Sequence, residues 1–387
     1  MLKNTAFILL TLIAAAAVSC RKTVIPQDTP GYGISFNTSV RTRAAIEDIT
    51  GLQHACTAES SGGDGQSIGI YGVMSRENPS DIREIFSNDA LSYSTTDGTW
   101  TYGLTKYWIS QYEYSFWAVY PYSSQPDAGA ADPVQPCYSL DAGKDPATGL
   151  SDYSLNISGY EITSENLRTD LMLGASYRDQ RSGTDPSAVP ITLRHALAAV
   201  NFRIRNGAQS KVLSVGNLVF GGMKYGCDVA MSAALSSDTD GSLAVSSDSY
   251  SEIYPADASS PYSASQNNPL FTVPDGGLDP DLTESGYRDL FRDGTVFVVP
   301  QRVVKASTSS RDISMSFEVE YEDDNKRTYN VSLSSNTTSE TEEWLPGKKY
   351  TYNITLTENR IIFNVVVADW IDDIVNLGEN TVSGLND

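Results

Sequence analysis

Met315-Ser-Phe-Glu-Val-Glu-Tyr321 is the clearest strand signal in the sequence, because apolar and polar residues alternate along it with a period of two. A polar turn at Asp323–Lys326 follows, and the same period then continues through Tyr329, Val331 and Leu333. This pattern predicts a β-hairpin with one buried face and one solvated face.

The same periodicity recurs on both sides of this hairpin. Further strands are predicted at Gly33–Val40 (with Ile34, Phe36, Thr38 and Val40 on one face), Ser67–Val73, Trp100–Ile109, Tyr112–Tyr120, Tyr350–Leu356 and Arg360–Trp370. Helical periodicity is weak and confined to Asp81–Phe86 and Leu282–Phe291, which predicts few short helices. Many short strands separated by Ser-, Pro- and Asp-rich loops indicate an all-β protein of the sandwich type. A domain boundary is predicted near residue 190, in the loop Ser182–Pro190.

The composition of the 387-residue chain is acidic. Lys and Arg number 27 against 48 Asp and Glu, so the formal net charge is −21. Phosphate binding requires clustered cations, and the composition therefore excludes nucleic acid as a partner. It favours a soluble, self-repelling surface outside the cell. A hydrophobic content of 40% with 22 tyrosines supports a packed β core rather than disorder.

The first twenty residues read as an export signal. Lys3 precedes an apolar stretch from Ala6 to Val18, which is too short to span a membrane and fits a signal peptide of residues 1–19. Ala17-Val-Ser-Cys20 is typical of a lipobox, so Cys20 is the predicted lipidation site. Acylation of its thiol (as by palmitate) and of the new amino terminus gives a stable anchor, because two or more acyl chains bind a membrane stably whereas a single acyl chain does not. The alternative is an ordinary secretory peptide that contains a cysteine.

Motifs of known enzyme classes are missing from the sequence. There is no G-x-S-x-G nucleophile elbow, because Gly65-Gln-Ser-Ile-Gly69 leads into a predicted strand and not into a helix. G-x-x-x-x-G-K-[ST] and H-E-x-x-H patterns do not occur. His54 and His195 are the only histidines, and His195 lies in an apolar run where a core or strand-end histidine is the simpler interpretation. Carboxylates at Glu318, Glu320 and Glu322 fit the solvated face of the hairpin. We therefore predict no enzyme activity, no metal and no cofactor.

Three cysteines, Cys56, Cys137 and Cys227, remain besides Cys20. Their number is odd and their spacings follow no known pattern. The sequence therefore predicts neither a disulfide framework nor a zinc site.

Several segments, in order along most of the chain, resemble the fimbrillins of Bacteroidota-type bacteria, which are the subunits of lipoprotein-derived (type V) pili. They are Trp100-Thr-Tyr102 with Lys106-Tyr-Trp108 and Tyr114-Ser-Phe-Trp-Ala-Val-Tyr-Pro121, Asp170-Leu-Met-Leu-Gly174 with His195-Ala-Leu-Ala-Ala-Val-Asn-Phe202, and Leu345-Pro-Gly-Lys-Lys-Tyr-Thr-Tyr352 with Val365-Val-Val-Ala-Asp-Trp370. Each motif is weak alone, and the ordered set behind a lipobox is more specific.

The resemblance implies two tandem β-sandwich domains of transthyretin-like Greek-key type, here at residues 44–190 and 191–370. It also implies a structural or adhesive pilus subunit, exported as a lipoprotein and cut by a surface protease after an arginine. The lipidated segment 20–43 would carry the removable first strand, with Ile34, Phe36, Thr38 and Val40 facing the core. The cut would fall between Arg43 and Ala44, or after Arg41. The tail 371–387 would supply a donor strand, through Ile371, Ile374, Val375 and Leu377, to another pilus subunit by strand addition.

The tail departs from the expected alternation. A face of Ile371, Asp373, Val375 and Leu377 places one carboxylate among the pocket residues, and burying it unpaired costs on the order of several kcal/mol. An anchor or accessory subunit that keeps its first strand therefore stays open, as does a tip subunit.

The location implied is the outer membrane and the surface fimbrium. The alternative function is a non-polymerising outer-membrane lipoprotein that binds a glycan or host protein through aromatic loops.

Overall fold

Strands make up most of the part of the chain that the structure describes. The computed structural model describes residues 32–40, 49–76, 82–123, 137–144, 151–183, 185–234, 240–254, 277–291, 294–304, 312–323, 325–334, 342–357 and 361–369. Within them the regular helical structure consists of α1 (Ile49–Ala55) and short 3-10 turns at Glu59–Ser61 and Glu284–Gly286. The prediction of an all-β protein is confirmed.

The largest sheet has seven strands and is built from the first half of the chain. Its members are β1 (Phe36–Val40), β2 (Ile68–Ser75), β3 (Arg83–Ser94), β4 (Thr99–Thr101), β5 (Glu113–Tyr120), β8 (Met172–Asp179) and β9 (Val189–His195). Their spatial order is β1-β9-β8-β5-β2-β3-β4, which places β1 and β4 at the two edges.

A four-stranded sheet covers one face of the seven-stranded sheet. It contains β6 (Cys137–Lys144), β7 (Ser151–Glu161), β12 (Gly226–Ser232) and β13 (Leu243–Ser246) in the order β13-β12-β7-β6. Trp117 of β5 joins the two layers, since its indole Nε1 donates to the Met231 carbonyl at 3.0 Å. Two of the four strands follow residue 190 in sequence, so this sheet draws on both sides of the predicted domain boundary.

The second half of the chain forms another sandwich. One layer contains β10 (Ala198–Asn206), β14 (Arg288–Asp289), β15 (Val296–Val298), β20 (Lys348–Leu356) and β21 (Ile361–Asp369), and the other contains β11 (Val212–Gly221), β17 (Ser314–Tyr321) and β18 (Lys326–Ser332). A short ribbon pairs β16 (Gln301–Arg302) with β19 (Glu343–Trp344). The rings of Phe202 and Phe220 meet 5.4 Å apart between the layers.

The hairpin predicted from Met315 to Leu333 is present as β17 and β18. Met315, Phe317, Val319 and Tyr321 are all buried, while Glu318 is exposed on the opposite face. The strand predicted at Tyr350–Leu356 is β20, and its four alternating apolar side chains are fully buried.

Three local predictions were wrong. The segment predicted to be helical at Asp81–Phe86 is strand from Arg83 onward, because Arg83–Ser94 forms the long strand β3 paired with β2. Leu282–Phe291 holds a single 3-10 turn before β14 rather than a longer helix. The strand predicted at Trp100–Ile109 ends at Thr101, after which the chain leaves the sheet and pairs with residues near β1.

Candidate functional site at the first strand

Strand β1 lies at an edge of the seven-stranded sheet and runs parallel to β9. Phe36 is level with Val189, Thr38 with Ile191 and Val40 with Leu193. Within the described part of the chain, β9 is the one strand that pairs with β1. A strand joined to a sheet along a single side can leave without opening any other pair.

The buried face of β1 packs into the core beneath the sheet. Ile34 is 3% exposed, Phe36 is 4% exposed and Thr38 is 1% exposed. On β9, Val189, Ile191 and Leu193 turn their buried side chains into the same core. Helix α1 lies against β1 and contributes Leu52 and Ala55 to this core.

Phe36 is the largest of these anchors. Its ring meets the rings of Phe86, Tyr102 and Phe116 edge-on, at centroid distances of 5.3, 5.9 and 5.5 Å. Burying a side chain of this size contributes about 1.5 to 3 kcal/mol. Phe36 thus fills a pocket that another aromatic or large aliphatic residue could also fill.

Thr38 is the polar exception on this face. Its hydroxyl is buried, and no hydrogen-bond partner for Oγ1 lies within the part of the chain described. A buried hydroxyl without a partner costs about 1 to 3 kcal/mol. The position therefore holds β1 less tightly than an apolar residue of the same size would.

A loop from Tyr102 to Ile109, which we call the clamp loop, holds the residues just before β1. The Ile34 amide donates to the Lys106 carbonyl at 2.8 Å, and the Trp108 amide donates to the Tyr32 carbonyl at 3.1 Å. Gly33 and Tyr107 form an antiparallel bridge between these two bonds. Residues 32–34 are therefore paired antiparallel to the clamp loop, whereas residues 36–40 are paired parallel to β9.

Two tyrosine hydroxyls fix the clamp loop. Tyr102 donates to the Ile34 carbonyl at 2.6 Å, and burial raises the pKa of Tyr102, which keeps the hydroxyl protonated as a donor. Tyr114 of β5 bonds both backbone groups of Ile109, accepting from its amide at 2.8 Å and donating to its carbonyl at 3.0 Å. Burial raises the pKa of Tyr114 to about 12.

Lys106 closes the top of the Phe36 pocket. Its ammonium Nζ lies 4.0 Å from the centroid of the Phe86 ring and 2.6 Å from an Asp89 carboxylate oxygen. Both charged side chains are mostly covered, at 27% and 28% exposure. The lysine thereby shields the apolar rings from water while its charge remains balanced.

The remaining residues predicted for this mechanism lie outside the described part of the chain. They are Cys20, the cleavage residues Arg41, Arg43 and Ala44, and the donor residues Ile371, Ile374, Val375 and Leu377. Of the predicted first strand, the structure describes Ile34, Phe36 and Thr38 with their side chains, and Val40 by its backbone. Removal of this strand stays a prediction.

His195, the residue with the strongest chemical interest in the sequence, lies at the end of β9 in the core. It is 3% exposed, and its Nδ1 hydrogen-bonds a carboxylate oxygen of the buried Asp170. Within the described residues no group of three His, Cys, Asp or Glu side chains is placed to hold a metal ion. No helix of the described part is long and apolar enough to cross a membrane.

The aromatic residues mostly serve packing. Trp100, Trp108, Trp117 and Trp344 are all at most 7% exposed. These four tryptophans are therefore not exposed for stacking on a ligand, and glycan or host-protein binding stays an untested alternative. The exposed aromatic side chains of the described part are instead Tyr32 and Tyr107, both at the clamp loop.

Sequence reasoning missed the clamp loop as part of the site. The aromatic residues of the run Trp100–Ile109 predict a strand that includes Tyr102, Lys106 and Trp108, because aromatic side chains favour strands. Gly103, which is exposed within the run, was the one local signal for a break.

The fold and the site together define an all-β protein whose first strand lies at a sheet edge with its side chains buried in the core. A family model described as fimbrillin-like matches residues 55–370. The chain belongs to the fimbrillin-like family, which places it among fimbrial proteins of the cell surface.

Solved structures of fimbrial proteins resemble the chain at low sequence identity. A fimbrial protein from Bacteroides vulgatus has a TM-score of 0.54 at 15% identity, with 87% of this chain and 99% of that chain covered. The tip fimbrial protein Mfa3 from Porphyromonas gingivalis has a TM-score of 0.38 at 9% identity, with 87% and 100% covered. The first of these supports the fold. No curated protein sequence matches the chain significantly.

Proposed function

We propose that the chain is a pilus subunit that assembles by strand exchange after export as a lipoprotein. Cys20 carries the lipid at the outer membrane, a surface protease cuts after Arg43 or Arg41, and β1 departs with the lipidated segment. An extended segment of another subunit then takes its place.

The single observation that carries the proposal is the position of β1. It is an edge strand with deeply buried side chains, and Arg41 and Arg43 follow it directly in the sequence. Before a cut, the chain connection keeps β1 at a high effective concentration beside its groove. After a cut, β1 is no longer covalently connected to the rest of the protein, so once it has left the groove it is not returned by a high effective concentration.

Departure of β1 leaves groups that need a new partner. One side of β9, the Lys106 carbonyl and the Trp108 amide lose their hydrogen bonds, and the pocket of Phe36 is exposed to water. Unpaired backbone groups and exposed apolar pockets both favour an occupant. An occupant that replaces residues 32–40 in full extends over about 30 Å.

Digestion of the purified full-length protein with a trypsin-like protease tests the proposal. We expect a new amino terminus at Ala44 (or Thr42) and ladders that resist SDS, read by amino-terminal sequencing and by gels without boiling. The variant Arg41→Ala/Arg43→Ala should keep its first strand and form no ladders. The matched control Arg181→Ala removes a partly exposed arginine elsewhere and should behave as wild type.

Cleaved wild-type protein that stays monomeric and does not bind a synthetic peptide of residues 371–387 would contradict strand exchange. Ladders formed by the double-arginine variant would contradict the role of the cut.

A second candidate is a subunit that retains β1 and remains on its lipid as an anchor. Asp373 favours it, because a donor face with a carboxylate among apolar residues fits an apolar groove poorly. Amino-terminal sequencing of the protein taken from the cell surface separates the two. A start at Ala44 supports exchange, whereas a blocked terminus at Cys20 supports the anchor.

A further inference from the structure

An exposed apolar patch lies on the clamp loop. Leu104 is 84% exposed and Tyr107 is 46% exposed, and Tyr32 beside them is 60% exposed. These are three of the eight large hydrophobic side chains that are exposed in the described part of the chain. Tyr32 precedes β1 and would leave with it, so Leu104 and Tyr107 form the permanent part, which we call the loop patch.

The direction of β1 determines which end of a groove-bound strand lies next to the loop patch. The chain enters at the clamp loop, where Gly33 meets Tyr107, and then runs parallel to β9 as far as Val40. An occupant that restores both the antiparallel bridge and the parallel ladder must run in the same direction as β1. Its amino-terminal end therefore lies at the loop patch.

A donated tail is attached to its own subunit by that same end. Strand β21 ends at Asp369, and Ile371, the first apolar residue of the predicted donor face, is only two residues further along. Two residues of extended chain span about 7 Å. The body of the donating subunit is therefore held close to the loop patch of the acceptor.

We propose that the loop patch is the docking surface for the body of the donating subunit, a second copy of this chain. The proposal rests on the strand exchange proposed above and adds a contact outside the groove. A donating subunit that contacts Leu104 and Tyr107 is recognised by its body as well as by its tail. The loop patch therefore adds to the specificity with which the donating subunit is bound.

The charge of the loop patch suits a contact between two copies. The full chain carries a formal net charge of −21, and a cut copy is more acidic because the removed segment is basic, so two copies repel each other. The clamp loop contains no acidic residue, and its one cation, Lys106, is paired with Asp89. An apolar contact here brings two acidic molecules together without placing like charges face to face.

The donating copy offers a matching apolar surface next to its tail. Val366 and Ile362 of β21 are 49% and 48% exposed, on the strand that leads into residues 371–387. Val366 lies three residues before the end of β21. Of the two exposed apolar side chains described on β21 it is the nearer to the tail, which makes it the candidate to meet Leu104 or Tyr107.

The test compares polymer formation with binding of the tail alone. In the full-length protein, the loop-patch variant Leu104→Ser is cut with the same protease as wild type, and the yield of SDS-resistant ladders is measured. Leu104 is chosen because Tyr107 bridges Gly33 and so belongs to the groove itself. Binding of a fluorescent peptide of residues 371–387 to the cut protein is measured by anisotropy. We expect ladder yield or assembly rate to fall about tenfold while the peptide affinity stays within about twofold.

Leu282→Ser is the matched control, because Leu282 is 66% exposed and lies away from the first strand in the second half of the chain. It should leave both readouts unchanged. A Val366→Ser variant supplied as donor should lower the ladder yield in the same way as the loop-patch variant.

Two outcomes overturn the inference while strand exchange stands. Ladders that form equally from wild type and the loop-patch variant exclude the docking contact. Equal losses of ladders and peptide binding assign Leu104 to the groove rather than to the body contact. If wild type itself forms no ladders and binds no peptide, strand exchange has failed, and the docking surface fails with it.

Discussion

At the scale of single residues, Thr38 sets a hydroxyl among the buried side chains of β1, level with Ile191 of β9. Phe36, two residues earlier, fills its pocket with ring contacts on three sides. The two positions therefore differ in what they contribute. Phe36 provides the aromatic contacts of the strand, and Thr38 limits how firmly the strand is held.

Thr38→Val should stabilise the protein. Valine has nearly the same shape and removes a buried hydroxyl without a partner, so the gain is about 1 to 3 kcal/mol. Urea denaturation measures this as a higher midpoint with an unchanged slope. Thr99→Val, on the exposed surface of edge strand β4, is the control and should change the midpoint little. A lower midpoint for Thr38→Val would show that the hydroxyl is satisfied in solution.

The same variant should slow strand exchange. A more tightly held β1 leaves the groove of the cut protein more slowly, so the peptide of residues 371–387 should enter about tenfold more slowly for each 1.4 kcal/mol gained. Stopped-flow fluorescence anisotropy with the labelled peptide measures the entry rates for wild type, Thr38→Val and Thr99→Val. Equal entry rates despite a raised midpoint would show that departure of β1 does not limit exchange.

The thiols of Cys56 and Cys227 should be unreactive in the native protein. Both side chains are fully buried, and burial raises the pKa of each thiol to about 12, so almost no thiolate is present near neutral pH. Iodoacetamide labelling followed by peptide mapping should find both unmodified in buffer and both modified in denaturant. Rapid native labelling at either position would contradict the packing around it.

At the scale of elements, the contact between β8 and β9 sets the shape of the groove, because β9 is the strand on which β1 lies. Gly174 of β8 makes this contact possible. A Cβ at Gly174 would lie 2.3 Å from the Thr192 carbonyl oxygen and 2.9 Å from Ile191 Cγ2. Ile191 is in turn the neighbour of Thr38.

Gly174→Ala should therefore destabilise the protein and weaken binding in the groove. Overpacking of this kind costs about 1 to 3 kcal/mol, since a backbone carbonyl has to move. Urea denaturation measures the loss of stability, and peptide binding to the cut protein measures the effect on the groove. Gly103→Ala is the control, because a Cβ there meets nothing within 4 Å. Equal stability of the two variants would show that β8 and β9 separate easily.

Elements with regular alternation could be predicted from the sequence, and those defined by distant contacts could not. Phe36 and Thr38, or Met315 and Phe317, reveal their strands because every second side chain is buried. The clamp loop has the composition of a strand, yet it is bent by bonds to Ile34 and to Tyr114, which are remote in sequence. Helix α1 carries Gly51 and only seven residues, so it depends on the packing of Leu52 rather than on its own propensity.

At the scale of the whole molecule, strands from both halves of the chain share one sheet. Strand β7 precedes residue 190 and pairs with β12, which follows it, and Trp117 bonds Met231 across the same layers. The division into domains at residues 44–190 and 191–370 stays a prediction. The shared sheet links the groove at β1 to the second sandwich, where β21 leads into the tail.

The acidity of the molecule should make the rate of assembly depend on salt concentration. The full chain has a formal net charge of −21, and the cut protein is more acidic because residues 1–43 carry more basic than acidic side chains. Two cut copies therefore repel each other as they approach, and this repulsion extends over about 30 Å at 0.01 M salt but about 8 Å at 0.15 M. Assembly of the cut protein should therefore speed up when NaCl is raised from about 10 mM to about 150 mM, as followed by light scattering. Binding of a neutral-capped peptide of residues 371–387 serves as the control. It should respond less, because the peptide carries few charges compared with a whole subunit. An assembly rate that falls with salt would mean that attraction between opposite charges, rather than the apolar loop patch and groove, brings the subunits together.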